Sequence, residues 1–387
     1  MTIFFTEEQE MIRDTARRFA REQVEPLANQ IDREDNVPEK LYTAAAALNL
    51  FGLFIPEEYG GLGQNLTSAC VVVEELAKAS PSFAGLLSVE IVLCPGAIAL
   101  LGNEEQKRRY LIPAAKGEHL LAWSMTEPSG GANLAHHQAR ITPDGEGYRA
   151  NGVKLFCTQG FAHTILFLAK TTRDGQDGYG CVLLDRHATG VEPAPYESKL
   201  GWRGTNTGTI AYTNVYVPPE NVLGNLLTAM GDLWTANVAS FIAHSATSVG
   251  CAQGLFDKTV AYAKEKTLYG KPLFHTQPAA YVLAESFAKL EAMRCLLYTA
   301  SRRYDAGDRD PILGPTCKAW ICDTAFEVCS KLLQLWGGMG IMDSTGVNRY
   351  MRDARTNMIA EGPSELHYDM IASKVLGKPT AWGVAFG

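Results

Sequence analysis

The hydrophobic pattern changes period twice along the chain. Up to about residue 120, apolar positions recur at three- and four-residue steps; Met11, Ile12, Ala16, Phe19, Ala20, Val24, Leu27 and Ile31 form one such stripe. Thr6 precedes it with Gln9 three residues on, the pattern of a capping box. PEEYGGLG (56–63) is a turn-rich break, and the pattern predicts two further helices at about 67–79 and 104–116. From about 121 to 225 the runs are short and β-branched or aromatic: YRANGVKLF, HTILFLAK, GCVLLD and TIAYTNVYVP. Asp144-Gly145 and Asn151-Gly152 read as hairpin turns, so a small antiparallel β domain is expected, closed by Pro218-Pro219. Long helical runs return from about 226 to the end, at 234–266, 277–306, 314–335 and 364–375. Their short connections suit a helical bundle.

The order α, β, α argues against a doubly wound nucleotide fold, in which strand and helix would alternate. Neither GxGxxG nor GxxxxGK[ST] occurs. A length of 387 residues allows two or three domains, and the three textures divide it as 1–120, 121–225 and 226–387. The 46% hydrophobic content excludes disorder as the dominant state. A net charge of −7 without a basic cluster leaves no electrostatic footprint for nucleic acid. Lys107-Arg108-Arg109 and Arg302-Arg303 read as solvated helix faces. Nine cysteines without a CxxC pair fit neither a disulfide framework nor a zinc site, so buried free thiols in a reducing compartment are expected. The amino terminus lacks the features of a signal peptide. No run approaches the ~18–20 uninterrupted apolar residues of a membrane span, and a cytoplasmic protein is expected. The eight histidines form no metal pattern; surface or capping roles are expected for His136, His137 and His367.

Chemistry concentrates in AWSMTEPSGGANLAHHQAR (122–140), where a threonine, a proline and paired glycines can turn a hydroxyl and backbone N–H groups toward a planar or anionic ligand. Taken alone, that stretch reads as a structural loop. It is followed by NGVKLFCTQG (151–160), KLGWRGTNTG (199–208), QLWGGMGI (334–341) and RYMRDARTNMIAEGPSELH (349–367), and preceded by NEEQKRRYLIPAAKGE (103–118). In this order and over nearly the whole chain, these segments resemble the acyl-CoA dehydrogenase family. The resemblance implies a mainly α fold with a central β domain: an N-terminal helical domain, a middle antiparallel β domain and a C-terminal four-helix bundle. It also implies FAD as cofactor, an acyl-CoA substrate, an electron-transfer flavoprotein as electron acceptor, and a homo-oligomer, usually a tetramer.

By the same resemblance, Thr126 bonds the flavin pyrimidine edge, Trp123 lies beside the ring and Thr158 lies near flavin N5. Phe156 stands where the family has tryptophan. Met125, Ala132, Tyr269, Gln277, Gln334, Gly337, Gly338, Pro363 and Glu365 complete the implied cofactor set, with Lys266 reaching a neighbouring subunit's FAD pyrophosphate. Glu361 corresponds to the catalytic base that lifts the α-proton of the thioester. Its neighbours Met358, Ile359, Ala360 and Gly362 are apolar or small, which suits a carboxylate whose pKa is raised by desolvation. Some relatives carry the base at the position of Ser240, which cannot serve. Ser240, Phe241, Ala132 and Gly362 are the implied substrate contacts. Ala360 replaces a tyrosine and leaves room for a branched, cyclic or aryl acyl group. Glu127 and Glu365 are expected to cap or to touch flavin, and Glu90 to be solvated or paired, with a polar floor of the acyl pocket as its alternative. The implied activity is α,β-desaturation. Its alternatives are oxidase, desulfinase or reductase chemistry, or a non-catalytic flavoprotein assembly partner.

Overall fold

The computed structural model describes residues 5–378. Helices α1 (Glu7–Phe19), α2 (Ala28–Glu34), α3 (Glu39–Ala47), α4 (Leu66–Ala79), α5 (Pro81–Ser88), α6 (Cys94–Leu101) and α7 (Glu104–Ala115) come first. The capping box at α1 is present, with the Thr6 hydroxyl accepting from the Gln9 N–H and the Gln9 side chain accepting from the Thr6 N–H. The stripe that continues to Ile31 is not one helix: a π-turn at Ala20–Val24 and a 3₁₀ turn at Glu25–Leu27, which contains Pro26, divide it. Proline cannot donate the next helical hydrogen bond.

The stretch Pro81–Leu101 has the length and mean hydropathy (2.1) of a membrane span, yet 78% of that window is buried inside the protein. It carries Glu90, is broken by a π-turn at Val89–Leu93, and packs against α4 and the long bundle helix. It is a core segment.

Strands β1 (Leu121–Ser124), β2 (Arg140–Asp144), β3 (Gly147–Cys157), β4 (Thr164–Arg173), β5 (Gln176–Asp185), β6 (Val191–Pro193) and β7 (Gly208–Val217) form one curled sheet, ordered β1-β4-β2-β3-β7-β6 with β5 on β4. Two expectations need correction. The sheet is mixed, because β1 and β2 both run parallel to β4. Asp144-Gly145 does turn β2 into β3, but Asn151-Gly152 lies inside β3 as a bulge against β7. Gly152 holds φ +147°, and a Cβ there would lie 2.5 Å from that of Ala139. That close approach explains the glycine.

Helices α8 (Ala229–Glu265), α9 (Gln277–Asp305), α10 (Leu313–Leu335), α11 (Asn348–Asn357) and α12 (Ser364–Leu376) complete the chain, with a β8 (Thr267–Leu268)–β9 (Lys271–Pro272) hairpin after α8. The periodicity had not marked α11, which is short and rich in arginine. One continuous core joins α4 and α5 to α8, α9 and α10. The sheet keeps two smaller cores, one on each face, and the first of these meets α6 and α7. All nine cysteines are free and all but Cys295 are buried.

Candidate active site

Two of the quoted motifs meet at the edge of the sheet. The Leu155 N–H donates to the Thr126 carbonyl over 2.8 Å, stitching the end of β3 to the loop after β1. Beneath that seam Lys154, fully buried, donates to the Met125 carbonyl (2.7 Å) and to Glu127 Oε1 (2.8 Å). Glu127 also accepts from the backbone N–H groups of Gln138 and Ala139 and from Ser129. Burial pushes the Glu127 carboxyl up, but Lys154 and these N–H donors outweigh it and hold it below the ordinary value. Glu127 is therefore neither a cap nor an outward contact: it clamps the 125–139 loop from inside. His137 corrects another expectation, being buried with its Nδ1 2.5 Å from the Tyr179 hydroxyl. His136 is exposed.

The clamp shapes a surface suited to a planar ligand. Trp123, Met125 and Thr126 are half-buried, and Trp123 and Met125 pack against the core under β1. Phe156 takes φ +56° and leaves its ring 64% exposed. Such a conformation for an aromatic residue occurs where surrounding structure enforces it. Among the described residues, neither the Thr126 nor the Thr158 hydroxyl has a protein hydrogen-bond partner, so both remain free for a ligand. Gly131 and Ala132 belong to the same loop, where Ala132 offers no side-chain hydrogen bond. These residues fit an isoalloxazine ring.

Glu361 lies where α11, α12, α10 and α8 converge. It adopts φ +55° in the turn between α11 and α12. Its side chain is only 13% exposed. The Ser240 hydroxyl donates to Oε2 over 2.8 Å, and His244 Nδ1 lies 3.8 Å from Oε1. Ser240 is thus no base but a direct partner of the carboxyl. Lys318, buried in α10, donates to the carbonyls of Met358 (3.1 Å) and Gly362 (2.6 Å) and so holds both shoulders of the turn. His367 Nε2 contacts the Glu361 carbonyl over 3.1 Å, and its ring meets that of Phe241 edge-on at 4.6 Å. His367 is fully buried, contrary to the surface or capping role expected. Burial pushes the Glu361 carboxyl up to about 7, against the opposing pull of the Ser240 hydroxyl and the Lys318 charge. Among the described residues the Glu361 N–H has no hydrogen-bond acceptor. Gly362 and Pro363 are half-buried, and Glu365 is exposed in the first turn of α12.

Glu90 is neither solvated nor paired. It is 2% exposed, accepts from the Leu121 N–H over 3.0 Å, and leaves Oε1 without a partner. Burial pushes it up to about 8. The quoted 199–208 loop ties sheet to bundle: the Trp202 backbone N–H donates to Asp353 and its indole N–H to Asn357. Sequence reasoning missed His244, Lys318, Lys154 and Asn357. The signal for His244 was its place one helical turn after Ser240.

Lys266, Tyr269, Gln277, Gln334, Gly337 and Gly338 gather at one exposed end of the bundle, around the small core of Ala263, Leu273 and Ala279. Among the described residues no hydrogen bond or ion pair joins them to the 123–158 surface of the same chain.

Comparison with known proteins agrees with this geometry. Residues 6–118, 122–215 and 240–376 match the N-terminal, middle and C-terminal domains of acyl-CoA dehydrogenases. The chain is 32% identical to a short-chain-specific acyl-CoA dehydrogenase of Clostridium acetobutylicum, covering 97% of this chain and 100% of the relative. It is also 32% identical to a 3-(aryl)acrylate reductase of Clostridium sporogenes, with the same coverage. A glutaryl-CoA dehydrogenase of Mycobacterium smegmatis in complex with FADH2 superposes with a TM-score of 0.92 at 25% identity, over 97% of this chain and 96% of that one.

Proposed function

Since the chain belongs to the acyl-CoA dehydrogenase family and is an oxidoreductase acting on CH–CH donors, we propose that it interconverts an acyl-CoA thioester and its α,β-unsaturated form, with FAD on the Trp123–Thr126–Phe156–Thr158 surface and Glu361 as base. Bound FAD would supply the hydride acceptor, and an electron-transfer flavoprotein would be the electron acceptor. The observation that carries the reading is the Glu361 carboxyl, buried and pushed up to about 7. A base poised near neutrality can take the weakly acidic α-proton and then release it to solvent before the next turnover. The Glu361 N–H, without a protein acceptor among the described residues, would polarise the thioester oxygen as negative charge develops. Lys318 fixes the turn that sets both groups.

Ala360, standing where the resemblance implies a tyrosine, supports a bulky acyl group over a straight chain. The same carboxyl, when protonated, can return the α-proton, so the arrangement also serves the reductive direction. Kinship with an enzyme named an aryl-acrylate reductase supports keeping aryl thioesters in the substrate panel.

Glu361→Gln tests the base. The variant is expected to fold and to bind FAD and thioester, while anaerobic flavin bleaching at saturating substrate slows by about 10²–10⁴-fold. Exchange of the α-proton in D₂O, read by NMR on the thioester, slows in parallel. Unchanged bleaching would assign the proton to another group, and Glu90 would be next.

A further inference from the structure

Resting on Glu361 as base, we infer that His244 is a positioning residue for the reacting proton: its Nδ1 lone pair accepts a hydrogen bond from Glu361 Oε1 once that oxygen is protonated. The argument starts at the other ring nitrogen. His244 Nε2 lies 3.1 Å from the Asn357 carbonyl, which can only accept, so Nε2 carries the hydrogen and Nδ1 is bare. Asn357 is itself fixed, its Oδ1 taking the Trp202 indole N–H at 2.6 Å and its Nδ2 donating to Ser248 at 2.9 Å. The tautomer is therefore set by a rigid buried frame, with the Trp202 ring tilted against the imidazole at 5.4 Å.

Nδ1 and Glu361 Oε1 then face each other across 3.8 Å, and both are buried without a hydrogen-bond partner. With Glu361 ionised, two lone pairs oppose each other. A proton on Oε1 converts that repulsion into an O–H···N hydrogen bond after a closure of about 1 Å. The Ser240 hydroxyl occupies Oε2, which directs the proton to Oε1. In the oxidative direction the α C–H bond breaks, its electron pair forms the double bond as the β-carbon gives up its hydride to the acceptor that bound FAD would supply, and the proton rests on Oε1 against Nδ1. His244 gains no net proton.

The charged and titratable surroundings agree. Lys318 from α10 lies near both His244 and Glu361 and opposes a positive imidazole. His367 from α12 turns its Nε2 to the Glu361 carbonyl and is likewise held neutral by burial, then by Lys318. Asp353 from α11 is taken up by the Trp202 N–H, and Cys322 from α10 by the Ser248 hydroxyl. Burial, then Lys318, pushes His244 down to about 3, so it stays neutral across the working range.

The discriminating variant is His244→Gln. A glutamine amide can keep the donor to the Asn357 carbonyl and places no acceptor at the Nδ1 position. The pH profiles of flavin reduction and of α-proton exchange in D₂O are measured on the FAD-loaded protein. The apparent pKa of the base is expected to fall by about one unit, because the protonated acid loses one hydrogen bond. KM is expected to stay unchanged. A purely structural role would leave that pKa where it is in the glutamine variant, and an unmoved profile overturns the inference while leaving Glu361 as base. If Glu361→Gln reduces flavin at the wild-type rate, the underlying reading falls and this inference with it. If His244→Gln does not fold, ¹⁵N-histidine spectra of the wild-type holoenzyme decide. An imine-type Nδ1 resonance that shifts as Glu361 titrates and is static in Glu361→Gln supports the contact. A protonated Nδ1, or an imine resonance that never moves, overturns it.

Discussion

Glu90 and Glu361 are both carboxyls drawn out of water, yet only one of them has polar side chains arranged around it. Ser240, His244 and the turn held by Lys318 surround Glu361, whereas Glu90 has a single backbone donor. That difference makes Glu90 a test of burial alone. Its pKa is pushed up to about 8 in the fold, against an ordinary 4.5. Below pH 4.5 it is protonated in both states. Above that the unfolded chain ionises first, so the stability it contributes drains away as pH rises and is gone above about 8. Glu90→Gln keeps the acceptor for Leu121 and cannot ionise. Its melting temperature relative to wild type is therefore expected to rise between pH 5 and pH 9, and an equal offset at both pH values would contradict the assignment. Glu361 itself was legible through the resemblance, with apolar neighbours that suit a desolvated acid. Its partner His244 was not, because it reaches the carboxyl across more than a hundred residues of chain, and Ser240 was named only as a substrate contact.

At the scale of elements, amphipathic periodicity located the long helices to within a few residues, since each buries one continuous face. It failed where a segment is buried on all sides or is mostly polar. The Pro81–Leu101 stretch has no polar face to reveal a period, and the buried face of α11 is largely polar, with Arg349, Asp353 and Asn357 beside Tyr350 and Ala354. The parallel pairing of β1 and β2 with β4 was also illegible, because strand texture carries no direction. Packing between elements can be tested at α4 and α8, which cross closely enough to need glycine. A Cβ on Gly250 would lie within contact of the Glu74 carbonyl oxygen and 2.7 Å from Ala77 Cβ, both in α4. Gly250→Ala is expected to destabilise the protein by about 1–3 kcal/mol through overpacking. Chemical denaturation would measure this. A stability equal to wild type would mean that the crossing has slack the geometry does not suggest.

At the scale of the whole molecule, the candidate site residues fall into two groups that no hydrogen bond or ion pair among the described residues joins. Trp123, Thr126, Phe156 and Thr158 form a surface at the sheet, while Lys266, Gln277, Gln334 and the Gly337-Gly338 turn occupy the far-exposed end of the bundle. The second group stands among large apolar side chains open to solvent. Tyr269 is 93% exposed and Ile341 69%, with Leu268, Phe274 and Met339 beside them in the same hairpin and turns. Exposed apolar side chains grouped in this way mark a surface that is covered in use. A second copy of the chain would cover it and would bring the Lys266 charge to a neighbour's FAD, as the family resemblance implies. Lysine supplies charge there without the paired hydrogen bonds of arginine. Lys266→Ala is therefore expected to release FAD more readily on dilution while its secondary structure and melting temperature stay near wild type. Light scattering with flavin absorbance on the same sample follows both quantities. A monomer that retains a full complement of FAD would show that one chain completes the site, and would remove the reason for placing Lys266 at a neighbour's cofactor.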